Sequence, residues 1–161
     1  MEAISNTSPI LYLYRIGHLN LLTRLFDRVF TTRGVLDELQ KGATQGYDVP
    51  CAESLQSFIV ENNLDENWEW LAVDLGLGEL SCLSLAIDNP SRIIILDDLQ
   101  ARRVAHAAGL QVWGTLRVIL EAKNKGFIES VAPLIGLLSD SGMWISAQVR
   151  ARIMTLACEN E

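Results

Sequence analysis

The sequence predicts an α/β domain: a three-layer α/β/α sandwich around a mainly parallel central sheet, with a helical C-terminal extension. Three features predict it. Strand-like and helix-like segments alternate from residue 3 to about residue 125, the pattern that a parallel sheet with crossover helices produces. Ile93 to Leu96 is an uninterrupted apolar run ending in Asp97-Asp98, as expected of a strand covered on both faces. Asp74-Leu-Gly-Leu-Gly leads into Glu79-Leu-Ser-Cys-Leu-Ser-Leu-Ala-Ile, a glycine-rich entrance to a helix.

Taken in order, residues 3 to 5 read as a first strand. Ser8-Pro9 reads as an N-cap with proline at the first helical position. Leu11, Tyr14, Leu19 and Leu22 continue at near-helical spacing, split into two helices by Gly17-His18. Arg28 to Thr32 is a second strand. Val35, Leu36 and Leu39 give one apolar face to a helix that stops near Gly42, and loop residues run on to Pro50. Ala52 to Glu61 is expected to be helical and Trp68 to Val73, rich in bulky residues, a strand. The Glu79 helix ends near Asn89-Pro90, the Ile93 strand follows, and Ala101 to Ala108 is a helix closed by Gly109. Gln111 to Trp113 is a last strand and Thr115 to Lys125 a helix ending at Gly126. Residues 1–126 are therefore read as the domain. Residues 127–161 are read as an extension packed on it, with helices at about 128 to 139 and 146 to 158, the second capped by Ser146. Trp144, Ile145, Val149, Ile153 and Leu156 form an apolar stripe there, which packs on the domain, joins a dimer or binds a partner; internal packing is the usual outcome.

A chain of 161 residues buries roughly 70% of the surface its unfolded form exposes, enough for a core without disulfides. Its apolar runs are far shorter than the ~20 residues of a membrane helix. No basic segment followed by an apolar stretch opens the chain, so the expected location is cytoplasmic. Cys51, Cys82 and Cys158 form no Cys-x-x-Cys pair, and His18 and His106 have no ligand-spaced neighbours, which argues against a zinc site. The formal net charge of −7 argues against nucleic-acid binding through overall positive potential. It leaves room for an enzyme whose site is itself carboxylate, since divalent cations bridge such a site to phosphate. Arg102, Arg103, Arg117, Lys123 and Lys125 are the candidates for a basic rim.

In an open parallel sheet, ligands gather at the carboxyl ends of the strands near the point where strand order reverses. Asn6 follows the first strand, Asp97 and Asp98 follow the central one, Glu79 opens the helix after the glycine turn, and Glu38 lies on the second helical segment. Each has a structural reading as well. Glu79 suits the positive end of a helix dipole, Asp97 or Asp98 suits an N-cap, Glu38 a solvated helix face, and Asn6 a turn.

Together, Ser5-Asn-Thr-Ser-Pro-Ile-Leu, Val35-Leu-Asp-Glu-Leu, Gly76-Leu-Gly-Glu-Leu-Ser and Ile94-Ile-Leu-Asp-Asp, in this order, resemble the PIN family of nucleases. Leu96-Asp-Asp-x-x-Ala-Arg, Gly114-Thr115-Leu and Gly142-Met-Trp-Ile-Ser extend the likeness to a subset of that family often encoded like toxin-antitoxin components. The resemblance implies a PIN-like fold and an acidic pocket of Glu38, Glu79, Asp97 and Asp98 with Asn6. It also implies Mg²⁺ or Mn²⁺ as cofactor and hydrolysis of single-stranded or structured RNA, with an antitoxin protein as a partner and a homodimer as the assembly. The chemistry is coherent: two carboxylates about 4 Å apart repel by roughly 4 kcal/mol at an effective dielectric of 20, and a cation relieves that repulsion. Asn6 stands where the family pattern has aspartate, which removes one negative charge from the site. A catalytically weak or inactive PIN-like protein that binds a partner is therefore the alternative reading.

Two other readings fit less well. The acidic pair of a phospho-accepting receiver-like domain should follow the first strand. A dinucleotide-binding turn would need a third glycine and would not place Glu79 against a pyrophosphate.

Overall fold

The computed structural model describes residues 1–61 and 74–159. Five strands among them, β1 (Glu2–Ser5), β2 (Arg28–Thr32), β3 (Ile59–Glu61), β4 (Ile93–Ile95) and β5 (Val112–Trp113), form one sheet in the order β3-β2-β1-β4-β5. Every adjacent pair is parallel, with Ile4 opposite Phe30 on one side and Ile94 on the other. Eight helices flank it: α1 (Thr7–Arg15), α2 (Asn20–Leu25), α3 (Arg33–Thr44), α4 (Leu77–Asp88), α5 (Leu99–Ala107), α6 (Thr115–Asn124), α7 (Ala132–Asp140) and α8 (Ala147–Leu156). Among the described residues no helix is long and apolar enough to cross a membrane.

Strand order runs from β1 outward through β2 and β3, then resumes on the other side with β4 and β5. The reversal between β1 and β4 opens a crevice at their carboxyl ends, because the connections leave those ends in opposite directions. Ser5 and Ile95 are paired there, and the Asn6 amide continues the ladder to the Ile95 carbonyl at 3.2 Å. Where the two strands pair, Ala3–Ser5 and Ile93–Ile95 are apolar or small and buried, which explains why the Ile93 run shows no alternation.

Three expectations are corrected. The segment from Ala52 to Glu61 is not one helix: it is a short 3-10 turn at Ala52–Leu55 followed by edge strand β3. Ile59 and Val60 are β-branched strand formers, and their backbone pairs with Phe30 and Thr31 of β2. The strand expected at Trp68 to Val73 lies outside the described residues. Helix α1 begins at Thr7, with Asn6 and not Ser8 at the N-cap, which puts Pro9 at the third helical position.

Tight packing of α3 on α4 sets the spacing of the acidic helices. A Cβ on Gly34 would lie 2.8 Å from Ser81 Oγ and 2.9 Å from the Leu77 carbonyl oxygen, so only glycine lets the start of α3 approach α4 this closely. Thr32 caps α3 by accepting from the Val35 amide at 3.3 Å, and its hydroxyl is 2.6 Å from that of Ser81. Arg92 lies 3.6 Å from the Phe30 ring centre and binds both Glu2 and Glu61. It thereby joins the start of β4 to β1 and β3.

The C-terminal helices are fastened by one carboxylate. Glu159 accepts from Lys123 Nζ at 2.5 Å, from Ser130 Oγ at 2.6 Å, and from the amides of Val131 and Ala132 at 2.8 and 3.0 Å. Burial opposes its charge, but these donors outweigh it and hold the group at about 2. The expected apolar stripe of the tail divides: Ile145 and Ile153 pack against the core, whereas Trp144, Val149 and Leu156 are exposed. Met154 and Ala157 take the inner positions instead, because docking on α6 sets the rotation of α8.

Gly34→Ala is expected to lower the melting temperature. Overpacking against the fixed Leu77 carbonyl costs ~1–3 kcal/mol, more than the first-turn gain in helix propensity returns. An equal or higher melting temperature by circular dichroism would show that α3 and α4 are free to separate.

Candidate active site

Asn6 sits at the N-cap of α1 in extended conformation, yet its side chain makes no capping hydrogen bond. An N-cap oxygen normally accepts from the second or third helical amide; here the third residue is Pro9, which has no amide hydrogen. Asn6 Nδ2 instead donates to Glu79 Oε1 at 3.0 Å. The reverse amide orientation would set oxygen against carboxylate, so the chemistry fixes which end faces Glu79. Asn6 is fully buried, and its Oδ1 accepts no hydrogen bond. An unmet buried acceptor costs ~1–3 kcal/mol, which marks it as an atom suited to a ligand.

Glu38 reaches the same place from α3. Its Oε1 accepts from the Gly78 amide at 2.8 Å, at the positive end of α4, and its Oε2 accepts from the Thr7 hydroxyl. The Gly-x-Gly-Glu sequence is explained by what it leaves out. A Cβ on Gly78 would fall 2.8 Å from Glu38 Cδ; a Cβ on Gly76 would fall 2.6 Å from Glu79 Oε2 and 3.1 Å from Glu38 Oε1. The two missing side chains thus make the space in which both carboxylates sit. Beneath them the Cys82 thiol is fully buried; burial and the charges of Glu38 and Glu79 push it up to about 12, so it is no nucleophile.

Asp97 and Asp98 follow β4. Asp97 Oδ1 accepts from the Thr115 amide at 2.8 Å and Oδ2 from its hydroxyl at 2.6 Å. Burial raises Asp97 above the usual carboxylate range against the pull of these bonds and of Arg102. Asp98 caps α5, its Oδ1 accepting from the Ala101 amide at 2.8 Å, so the structural reading of this residue holds for one of its oxygens. Both aspartates share a cleft of about 750 Å³ with Glu79, Arg102, Arg117 and Trp144. Asn6 and Glu38 stand behind Glu79 and do not form its walls.

The chain therefore brings Asn6, Glu38 and Glu79 into one hydrogen-bonded set, with Asp97 and Asp98 on the cleft that Glu79 lines. Among the described residues no three His, Cys, Asp or Glu side chains converge into a ready-made metal cage. Of the expected basic rim, Arg102 and Arg117 line the cleft, while Lys123 is committed to Glu159 and the Ala157 carbonyl. Thr7 and Thr115, which hold Glu38 and Asp97, carried no role in the sequence reading, although both lie inside its quoted motifs. The tail's contribution to the cleft wall was likewise unforeseen.

A parallel α/β sandwich with carboxylates gathered at its switch point defines the class. A family model, DUF3368, a PIN domain, matches residues 2–159, and the chain belongs to the PIN-domain family. A solved structure of a PilT N-terminus domain protein from the hyperthermophilic archaeon Sulfolobus solfataricus P2 is similar at 13% identity and a TM-score of 0.49, over 73% of this chain and 90% of that one. No curated protein matches the chain.

Gly78→Ala tests whether Glu38 belongs to the cation site. The added methyl would overlap the Glu38 carboxylate, which Thr7 and the Gly78 amide hold in place, and must displace it. Mg²⁺ affinity, read by calorimetry, should fall, and the melting temperature should drop by an overpacking cost of ~1–3 kcal/mol; unchanged affinity would remove Glu38 from the cation site.

Proposed function

We propose that this protein is a Mg²⁺- or Mn²⁺-dependent ribonuclease, acting as the toxin-like member of a pair with an antitoxin protein. The observation that carries the reading is the buried, unpartnered Oδ1 of Asn6, whose Nδ2 binds Glu79, the glutamate that lines a cleft together with Asp97 and Asp98. The donors are all hard oxygens, the type that Mg²⁺ and Mn²⁺ select over thiolate or imidazole. Mg²⁺ keeps several waters and needs only one or two direct carboxylates, so the open arrangement fits it better than it would fit zinc.

Glu79 and Asp98, with Glu38 and Asp97 in support, would hold the cation, and Asn6 Oδ1 would accept from its hydration shell or contact it directly. A bound divalent cation supplies neutralisation of the phosphate and a water of lowered pKa. The chain's own residues do the rest. Thr7 and the Gly78 amide fix the Glu38 carboxylate, Thr115 fixes Asp97, and Arg102 and Arg117 offer positive charge to a phosphate entering the cleft.

The neutral Asn6 favours one competing reading, a PIN-like module that binds a partner without cutting. Cleavage of a mixed RNA pool by wild type, Glu79→Ala and Asp98→Ala decides between them. Wild type should cut with Mg²⁺ or Mn²⁺ and stop with a chelator, and each variant should lose about a hundred-fold in rate or more. Equal cleavage by all three would expose a contaminating nuclease. No cleavage by wild type with either metal would leave the partner-binding reading standing.

A further inference from the structure

Trp144 is 87% exposed although it lies in a chain segment held on both sides. Met143 and Ile145 turn inward against the core, the Met143 amide bonds the Leu138 carbonyl at 3.0 Å, and Ser146 caps α8 by accepting from the Val149 amide at 3.2 Å. The alternation leaves the indole projecting from a fixed backbone into water. Its place is the wall of the acidic cleft, alongside Leu99, which is 62% exposed, and the guanidinium groups of Arg102 and Arg117. An occupant that meets both the arginines and the ring carries negative charge and a flat apolar face, a combination that a polynucleotide provides; Glu79, Asp97 and Asp98 on the same cleft would face its phosphates through the cation of the proposed function.

We infer that Trp144 is a base-stacking residue that positions single-stranded RNA along the cleft, with Arg117 contacting the phosphate beside the stacked base. This rests on the ribonuclease reading and adds to it the tail's part in substrate choice. Stacking needs bases that are free of a duplex, and a cleft of about 750 Å³ is in the range of sites for compact ligands, suited to splayed nucleotides and not to a double helix. Arg117 is half exposed, pairs with Glu121 at 2.8 Å and lies 5.2 Å from the Trp113 ring centre, so its guanidinium is held near the cleft while one face of it stays open to solvent.

The test compares wild type, Trp144→Ala and Trp144→Phe on a short, unstructured, fluorescein-labelled RNA and on the same RNA with one abasic site, reading cleavage kinetics in Mg²⁺ and binding by anisotropy. Trp144→Ala should raise KM and Kd about ten-fold, leave kcat within about two-fold, and lose the preference for the intact RNA over the abasic one. Trp144→Phe should restore most of the affinity, since a ring is retained. If wild type cuts and Trp144→Ala cuts with the same KM, stacking is overturned and the ribonuclease reading survives. If wild type binds RNA in a Trp144-dependent way without cutting it, stacking stands and catalysis falls. Absence of both binding and cleavage overturns both. A change of mass by light scattering on Trp144→Ala would make this surface an interface between copies of the chain and would likewise overturn the proposal.

Discussion

The hydrogen bond from Asn6 Nδ2 to Glu79 Oε1 joins the end of β1 to the start of α4, at the point where strand order reverses. Glu38 enters the same small volume from α3. Carboxylates gathered this closely repel by several kcal/mol unless donors or cations intervene. The surrounding structure is arranged to supply donors: the Asn6 amide for Glu79, the Thr7 hydroxyl and Gly78 amide for Glu38, and Thr115 for Asp97 on the adjoining wall. Gly76 and Gly78 supply room in the same way, and Gly34 allows the two acid-bearing helices to approach.

A neutral residue at position 6 alters this balance in two ways. It donates to one glutamate, which an ionised aspartate could not do, so the metal-free site is held together. It also keeps an oxygen without a partner, and Pro9 removes one of the two helical amides, Ser8 keeping the other, from which an N-cap oxygen accepts. The Asn-Thr-Ser-Pro sequence thus combines three roles: asparagine bridges to Glu79, threonine holds Glu38, and proline removes one of the amides that could cap the asparagine oxygen. Under the proposed function, asparagine in place of aspartate would weaken cation affinity, while its hydrogen bond to Glu79 holds the carboxylate in place.

Much of the fold was legible because its strongest signals are local. The Ile93 run, the glycine entrance to α4 and the alternation of elements all follow from backbone propensity and burial. Strand β3 was not, since three residues at a sheet edge carry too little period to outweigh the helical spacing upstream of them. The rotation of α8 was hidden for a related reason: Met154 and Ala157 face inward because of where α6 lies, and Trp144 is left outside. At the site, the carboxylates were legible from the order of four short motifs. Their partners were not, because the Asn6–Glu79 and Thr7–Glu38 bonds join residues distant in sequence, and only the packing of α1, α3 and α4 at the end of β1 brings them together.

The central claim, that Asn6 belongs to a cation site of Glu79, Asp98, Glu38 and Asp97 and tunes it by its neutrality, is tested most directly by calorimetric titration of Mg²⁺ into wild type and Asn6→Asp. The added charge should tighten binding by at least about ten-fold, and loss of the Asn6–Glu79 hydrogen bond should lower the melting temperature of the metal-free variant. Equal Mg²⁺ affinity in the two proteins would contradict the account and place Asn6 outside any metal site.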